Sequence, residues 1–162
     1  MTSRRLTFAL LTLTLTVLFI SAPAALRDDL ARGQIYLFTR DFVADIPRRL
    51  AGPGRFRFIL QPALASILGV RDGVRDARAG RHPYLLALLT GKGDRHKLLR
   101  SAMAAIVNVL LMGILLDAVF QRVILGVTHP GAALVIGPVL ICAPYAVVRA
   151  LANRGFRILR PD

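Results

Sequence analysis

Arg71, Asp72, Arg75, Asp76, Arg78 and Arg81 stand together in "GVRDGVRDARAGR", the densest charge cluster of the chain. Two chemistries suit such a set. Asp72 and Asp76 are the residue types that hold a divalent metal for chemistry on a lipid phosphate, and arginines present planar forks that match phosphate oxygens. If a helix begins at Phe56 and runs through the cluster, Arg71, Arg75 and Arg78 crowd its C-terminus, where the macrodipole favours cations, and Asp72 pairs with Arg75 one turn on. Arg71, Arg75, Arg78 and Arg81 are then candidates for contact with anionic lipid head groups, their stems snorkelling along apolar surface.

"DGVRDAR", from Asp72 to Arg78, resembles the D-G-x-x-A-R core of the CDP-alcohol phosphotransferases, which would imply metal-held nucleotide chemistry at a membrane surface. This sequence departs from that pattern. Three residues separate Gly73 from Ala77, no aspartate stands three residues before Asp72, and the G-x-x-x-D of Gly113 and Asp117 lies far downstream and is followed by Gln121. "TGKGD" fails as a phosphate loop, since Leu86 stands where a Walker glycine is needed and Gly93 where Ser or Thr is needed. His82, His96 and His129 have no second ligand at helical spacing. No catalytic motif, metal set or cofactor site follows from these residues, and the chain reads as a non-enzyme.

Asn108 and Asp117 raise a different question, because both fall inside "SAMAAIVNVLLMGILLDAVF", an apolar run where an ionisable side chain is costly and normally paired. Nine residues apart, they sit half a turn out of phase and do not line one face. Arg57 would begin a second crossing at the same boundary that Asp117 approaches, so an Asp117–Arg57 pair is the expected partnership, with Arg122 or His129 as substitutes. A stabilising ion pair is the favoured role over an ion or substrate pathway.

The elements that must position these residues are helical and membrane-bound. Of 162 residues, 55% are hydrophobic, and the mean hydropathy of +0.57 exceeds what a soluble domain of this size hides. Lys and Arg number 22 against nine acids, a net charge of +13, and every acid is Asp. The positive charges flank apolar runs, which points to lipid rather than nucleic acid as the partner. Cys142 is the only cysteine, so an intramolecular disulfide is excluded.

The expected fold is all-α, a small polytopic helical membrane protein with three to four membrane segments plus interfacial amphipathic helices. Residues 1–26 form a signal anchor or signal-like segment, with Arg4 and Arg5 before the apolar core and an A-x-A at Ala22–Ala24. Residues 27–55 form an amphipathic interfacial segment, capped by Asp28 or Asp29, striped by Ile35, Phe38, Phe42 and Ile46, and ended by Pro47 and then Gly52–Gly54. Residues 56–162 form the membrane domain: a short or re-entrant helix 56–79 bent by Pro62, a basic loop and interfacial helix 80–97 with Asp94 as a cap, a transmembrane hairpin 98–150, and a basic tail. Gly69 and Gly73 make a G-x-x-x-G that straddles the charged boundary, a weak packing signal.

The basic tail puts the C-terminus in the cytoplasm. Arg4 and Arg5 favour four crossings with 27–55 outside, whereas the overall Lys and Arg distribution favours three. The central block from Arg55 to Leu89 resembles stretches of small bacterial inner-membrane proteins to which no activity is attached, and implies that location. The expected role is accessory, lipid-surface or partner-binding; the alternatives are a subunit of an oligomeric transporter or channel and a lipid-modifying enzyme using Asp72 and Asp76.

Overall fold

The computed structural model describes residues 2–51, 55–91 and 94–159, and among these every regular element is helical. α1 covers Thr2–Arg32, α2 Arg40–Ala51, α3 Arg57–Arg78, α4 Tyr84–Thr90, α5 Arg95–Leu125 and α6 Pro130–Leu159, with a single 3-10 turn at Tyr36–Phe38 between α1 and α2. Three helices are long and apolar enough to cross a membrane: Arg4–Arg32, Arg95–Leu125 and Pro130–Leu159. Their outward faces carry Phe8, Leu15, Phe19, Met112, Val139 and Leu151. Such exposure would be costly in water and is ordinary against acyl chains.

The long helices line up in the spatial order α1, α5, α6, α3. α5 and α6 form the central hairpin. α1 runs parallel to α5 and is tied to it by polar contacts: Thr7 Oγ1 donates to Asn108 Oδ1 at 2.7 Å, and Thr14 Oγ1 reaches Leu10 O at 2.7 Å and Leu111 O at 3.4 Å. Asn108 therefore faces α1, while Asp117, half a turn away, faces α2 and α3.

α3 makes the closest helix contact of the molecule, running parallel to α6 along its length. Every fourth residue of α3 is buried, Arg57, Gln61, Ala65, Gly69 and Gly73, and so is every fourth residue of α6 from Ala133 through Gly137, Ile141, Tyr145 and Arg149 to Asn153. Two such rows interlock only where one is small. A Cβ on Gly69 would lie 2.8 Å from Tyr145 O and 3.1 Å from Arg149 N, and one on Gly73 would meet Arg149 O and lie 2.8 Å from Ala152 Cβ. The G-x-x-x-G that reads weakly from its charged flanks is thus the seam of the molecule, because those flanks fall at the ends of the contact. α3 runs from Arg57 to Arg78 without interruption through the arginine cluster, over the span read for a helix at 56–79.

Several expectations change at the element ends. Asp28 and Asp29 do not begin a helix; they sit in the last turns of α1, which ends at Gly33 in the left-handed conformation. Pro47 lies inside α2 rather than stopping it, and the Gly52–Gly54 stop falls outside the described residues. The apolar stripe of 27–55 is not one helical face, since Ile35 and Phe38 belong to the turn before α2. Ile35, Phe38 and Ile46 point outward, and α2 buries Asp45 and Arg49 instead. The inversion is physical: the inside of this bundle offers charge partners, and the outside is apolar. The interfacial helix of 80–97 is only α4, because Gly91 in the left-handed region ends it and Asp94 caps α5, accepting from Lys97 N–H at 3.2 Å. The basic tail is helical to Leu159 as the last turns of α6.

Candidate functional site

Polar side chains gather at the two ends of the bundle, one group around Asp117 and one around Arg149. By the helical rise, Arg57 and Asp76 of α3 stand about 28 Å apart, close to the thickness of a bilayer's hydrocarbon.

At the first end, Asp117 is completely buried on α5. Arg57 Nη1 of α3 lies 2.6 Å from its Oδ1, and Arg49 Nη1 of α2 donates to both carboxylate oxygens at 3.0 and 3.2 Å. Gln121, one turn along α5, donates to Oδ2 at 2.6 Å and accepts from His129 N at 2.8 Å. The structure brings together Asp117 and Arg57, the expected pair, and adds Arg49 and Gln121, which sequence reasoning missed. Arg122, considered as a substitute, bonds the carbonyl of Gly126 at its own helix end. The Arg57 guanidinium also lies over the rings of Phe58 and Phe120, 4.7 and 5.1 Å from their centroids.

Two arginines on one carboxylate leave positive charge in excess, and a relay extends from it. Arg49 Nη2 reaches Tyr36 Oη at 3.4 Å, and that hydroxyl donates to Asp45 Oδ2 at 2.7 Å. Burial is the main cause that pushes the Tyr36 phenol up to about 12, with the Arg49 hydrogen bond opposing it, so the hydroxyl stays a donor at neutral pH. Tyr36 stacks on His129 with centroids 4.0 Å apart. His129, 5% exposed, sits between Asp28 and Asp29, and burial lowers its pKa against the raising effect of both aspartates.

At the second end, Arg149 of α6 is 2% exposed and has every nitrogen engaged. Nε donates to Asp76 Oδ2 at 2.7 Å, Nη1 to Tyr145 Oη at 2.9 Å and Nη2 to Ser101 Oγ at 3.3 Å, and the guanidinium lies 4.5 Å from the centroid of Tyr84. Tyr145 Oη donates in turn to Asp72 Oδ2 at 2.8 Å. Asp76 also meets Arg81 at 3.3 Å, and Asp72 meets Arg75 at 3.9 Å. Each of the two aspartates gives its Oδ2 to this network, Asp72 to Tyr145 and Asp76 to Arg149. Arg149 escaped sequence reasoning because it reads as the first charge after an apolar span; its four-residue spacing from Tyr145 was the available signal.

Beside Arg149 a cavity of about 290 Å³ opens between α3 and α5. Arg71, Arg75 and Arg81 line its exposed side, Asp72 and Asp76 face it, the buried Arg149 lies at its base, and Ser101, Ala104 and Ala105 make the α5 wall. Three of the four expected head-group arginines thus converge on one opening. Arg78 does not; it turns to the ring of Phe156, 5.4 Å from the centroid. Four arginines against two aspartates leave the lining with a charge of about +2, and the rim arginines are the exposed ones. Such a lining can seat a phosphate: the rim supplies mobile donors, and the anchored Arg149 supplies a fixed positive base. Comparison of the chain with models of protein families, with curated proteins and with solved structures finds no match, so its geometry is what speaks for its function.

Proposed function

We propose that this chain is a small integral membrane protein of the bacterial inner membrane that grips the phosphate of an anionic lipid in the cavity beside Arg149. The observation that carries the reading is the convergence of Arg71, Arg75 and Arg81 on a cavity whose base is the buried Arg149 and whose side wall is the apolar pair Ala104 and Ala105. A head group fits the charged rim, and an acyl chain fits the alanine wall. Asp117 is already matched by Arg49, Arg57 and Gln121, which supports a structural role for it over an ion pathway.

The reading is tested on the detergent-purified chain by native mass spectrometry with phosphatidylglycerol, phosphatidylcholine or inorganic phosphate. At about 1 kcal/mol for each basic residue near an anionic surface, Arg71→Gln with Arg75→Gln is expected to weaken phosphatidylglycerol binding roughly tenfold or more. Phosphatidylcholine binding and the unfolding temperature should hardly change. Equal loss for both lipids, or none, would sink the proposal; binding of inorganic phosphate in place of lipid would move the ligand to a soluble anion.

In this reading α3 crosses beside α6, giving four traverses with both ends of the chain and the arginine cavity on the cytoplasmic side. Arg4 and Arg5, ahead of the first apolar run, support it, against an overall Lys and Arg distribution that favours three traverses. A cysteine at exposed Arg40 of α2, in a Cys142→Ala background, is then expected to react with an impermeant maleimide in cells whose outer membrane alone is permeabilised. Reaction only after lysis would place α2 inside and remove the fourth traverse.

A further inference from the structure

His129 meets carboxylates with both of its ring nitrogens. Nε2 lies 3.4 Å from Asp28 Oδ2, and Nδ1 lies 3.7 Å from Asp29 Oδ1. A neutral imidazole has one N–H and one lone pair, so it can satisfy only one of two such oxygens. The other nitrogen turns its lone pair toward an anion, an arrangement that calls for a cation between them. The hydrogen-bond pattern leaves that place open: His129 Nδ1 and Asp28 Oδ2 are buried atoms with no hydrogen-bond partner. Arg32 Nε is 3.0 Å from Asp28 Oδ2 but makes no hydrogen bond to it, and Arg32 Nη1 is directed to Asp41 Oδ2 at 2.8 Å.

One ligand atom from each of Asp28, Asp29 and His129 falls within 4.8 Å of the others. Zinc bonds to nitrogen and oxygen of about 2.1 Å, at tetrahedral angles, place neighbouring ligand atoms about 3.4 Å apart, close to the 3.7 Å that separates the unpartnered Nδ1 from Asp29 Oδ1. The imidazole is also held as a ligand must be. Gln121 Oε1 accepts from its backbone N–H at 2.8 Å, the Tyr36 ring covers one face, and Tyr36 N–H donates to Asp29 Oδ1 at 2.9 Å.

We propose that Asp28, Asp29 and His129 form a binding site for a divalent cation of the zinc class, with water completing the coordination. The ion ties the C-terminal turns of α1 to the turn between α5 and α6, on the opposite end of the molecule from the arginine cavity. One nitrogen and two carboxylate oxygens favour Zn2+ over Ca2+ and Mg2+, which take all-oxygen shells, and over Cu(I), which takes sulfur.

The probe is Co2+ added to the untagged full-length chain in detergent after treatment with a chelator. Binding of one Co2+ per chain, seen as visible d–d absorption and reversed by Zn2+, is the expected result, together with a higher unfolding temperature in Zn2+. Asp28→Asn, which keeps the shape of the side chain, should weaken binding tenfold or more, as should His129→Gln. His82→Gln with His96→Gln should leave it intact. No absorption in the native chain, unchanged affinity in Asp28→Asn, or loss of binding in the His82 and His96 variant would each overturn the site. Stabilisation of the chelator-treated chain by acid alone, with no effect of Zn2+, would show that a proton fills the place instead.

Discussion

Replacing Asp117 by alanine should unfold the molecule at its first polar end. The substitution leaves Arg49 and Arg57 facing each other in a buried site, each 2–3% exposed at its side chain, with no anion between them. Removing one partner of a buried pair costs about 3–5 kcal/mol because the remaining charge is stranded, and here two are stranded. Asp117→Asn keeps the shape and the hydrogen bond from Gln121 but not the charge, and should fall between wild type and Asp117→Ala. Thermal unfolding in detergent, followed by helical circular dichroism, gives the order. A triple change, Asp117→Leu with Arg49→Met and Arg57→Met, should recover most of the lost stability, since an apolar set of similar volume needs no counter-charge. If Asp117→Ala melted with the wild type, the triad would be irrelevant to folding.

The second large effect is expected from Gly73→Ala. A Cβ there would run into the carbonyl of Arg149 and approach Ala152, and backbone cannot swing aside as a side chain can. α3 must move away from α6, which costs about 1–3 kcal/mol as overpacking does elsewhere and disturbs the Asp76–Arg149 contact one turn on. Gly155→Ala on α6 is the matched comparison, because a Cβ there meets nothing within 4 Å. It should be neutral or stabilise by about 0.5–1 kcal/mol through helix propensity. Opposite signs for the same chemical change would identify the seam; equal effects would mean that the close approach at Gly73 does not hold the helices.

The contrast between those glycines shows where the sequence is readable. Long apolar runs disclose α1, α5 and α6, because twenty apolar residues have few other uses, and Asp117 stands out because a charge inside such a run demands an answer. Arg57 was within reach as that answer because it opens the next segment at the matching depth. Arg49 was not. It lies in a segment whose apolar stripe suggests that its polar side faces water, and only the presence of Asp117 turns that side inward. Gly69 and Gly73 were visible as a motif, but the charges around them argued against a buried seam until Asp72, Asp76 and Arg149 were found satisfying one another at its end. The arginine cavity was legible as a cluster and not as a shape: Arg71, Arg75 and Arg81 converge while Arg78, one turn from Arg75, is drawn away by Phe156.

The pairing of polar groups also fixes an order of assembly. Thr7 waits for Asn108, Asp28 and Asp29 for His129, Arg49 and Arg57 for Asp117, Asp72 for Tyr145, and Asp76 for Arg149. Each of these partners lies in the α5–α6 hairpin or its turn, which follows the other helices in the chain and leaves the ribosome after them. The earlier helices therefore emerge before the carboxylate that Arg49 and Arg57 share, and reach their resting place only when the hairpin arrives. The hairpin is the template, and the helices made before it are its late-fitted cladding.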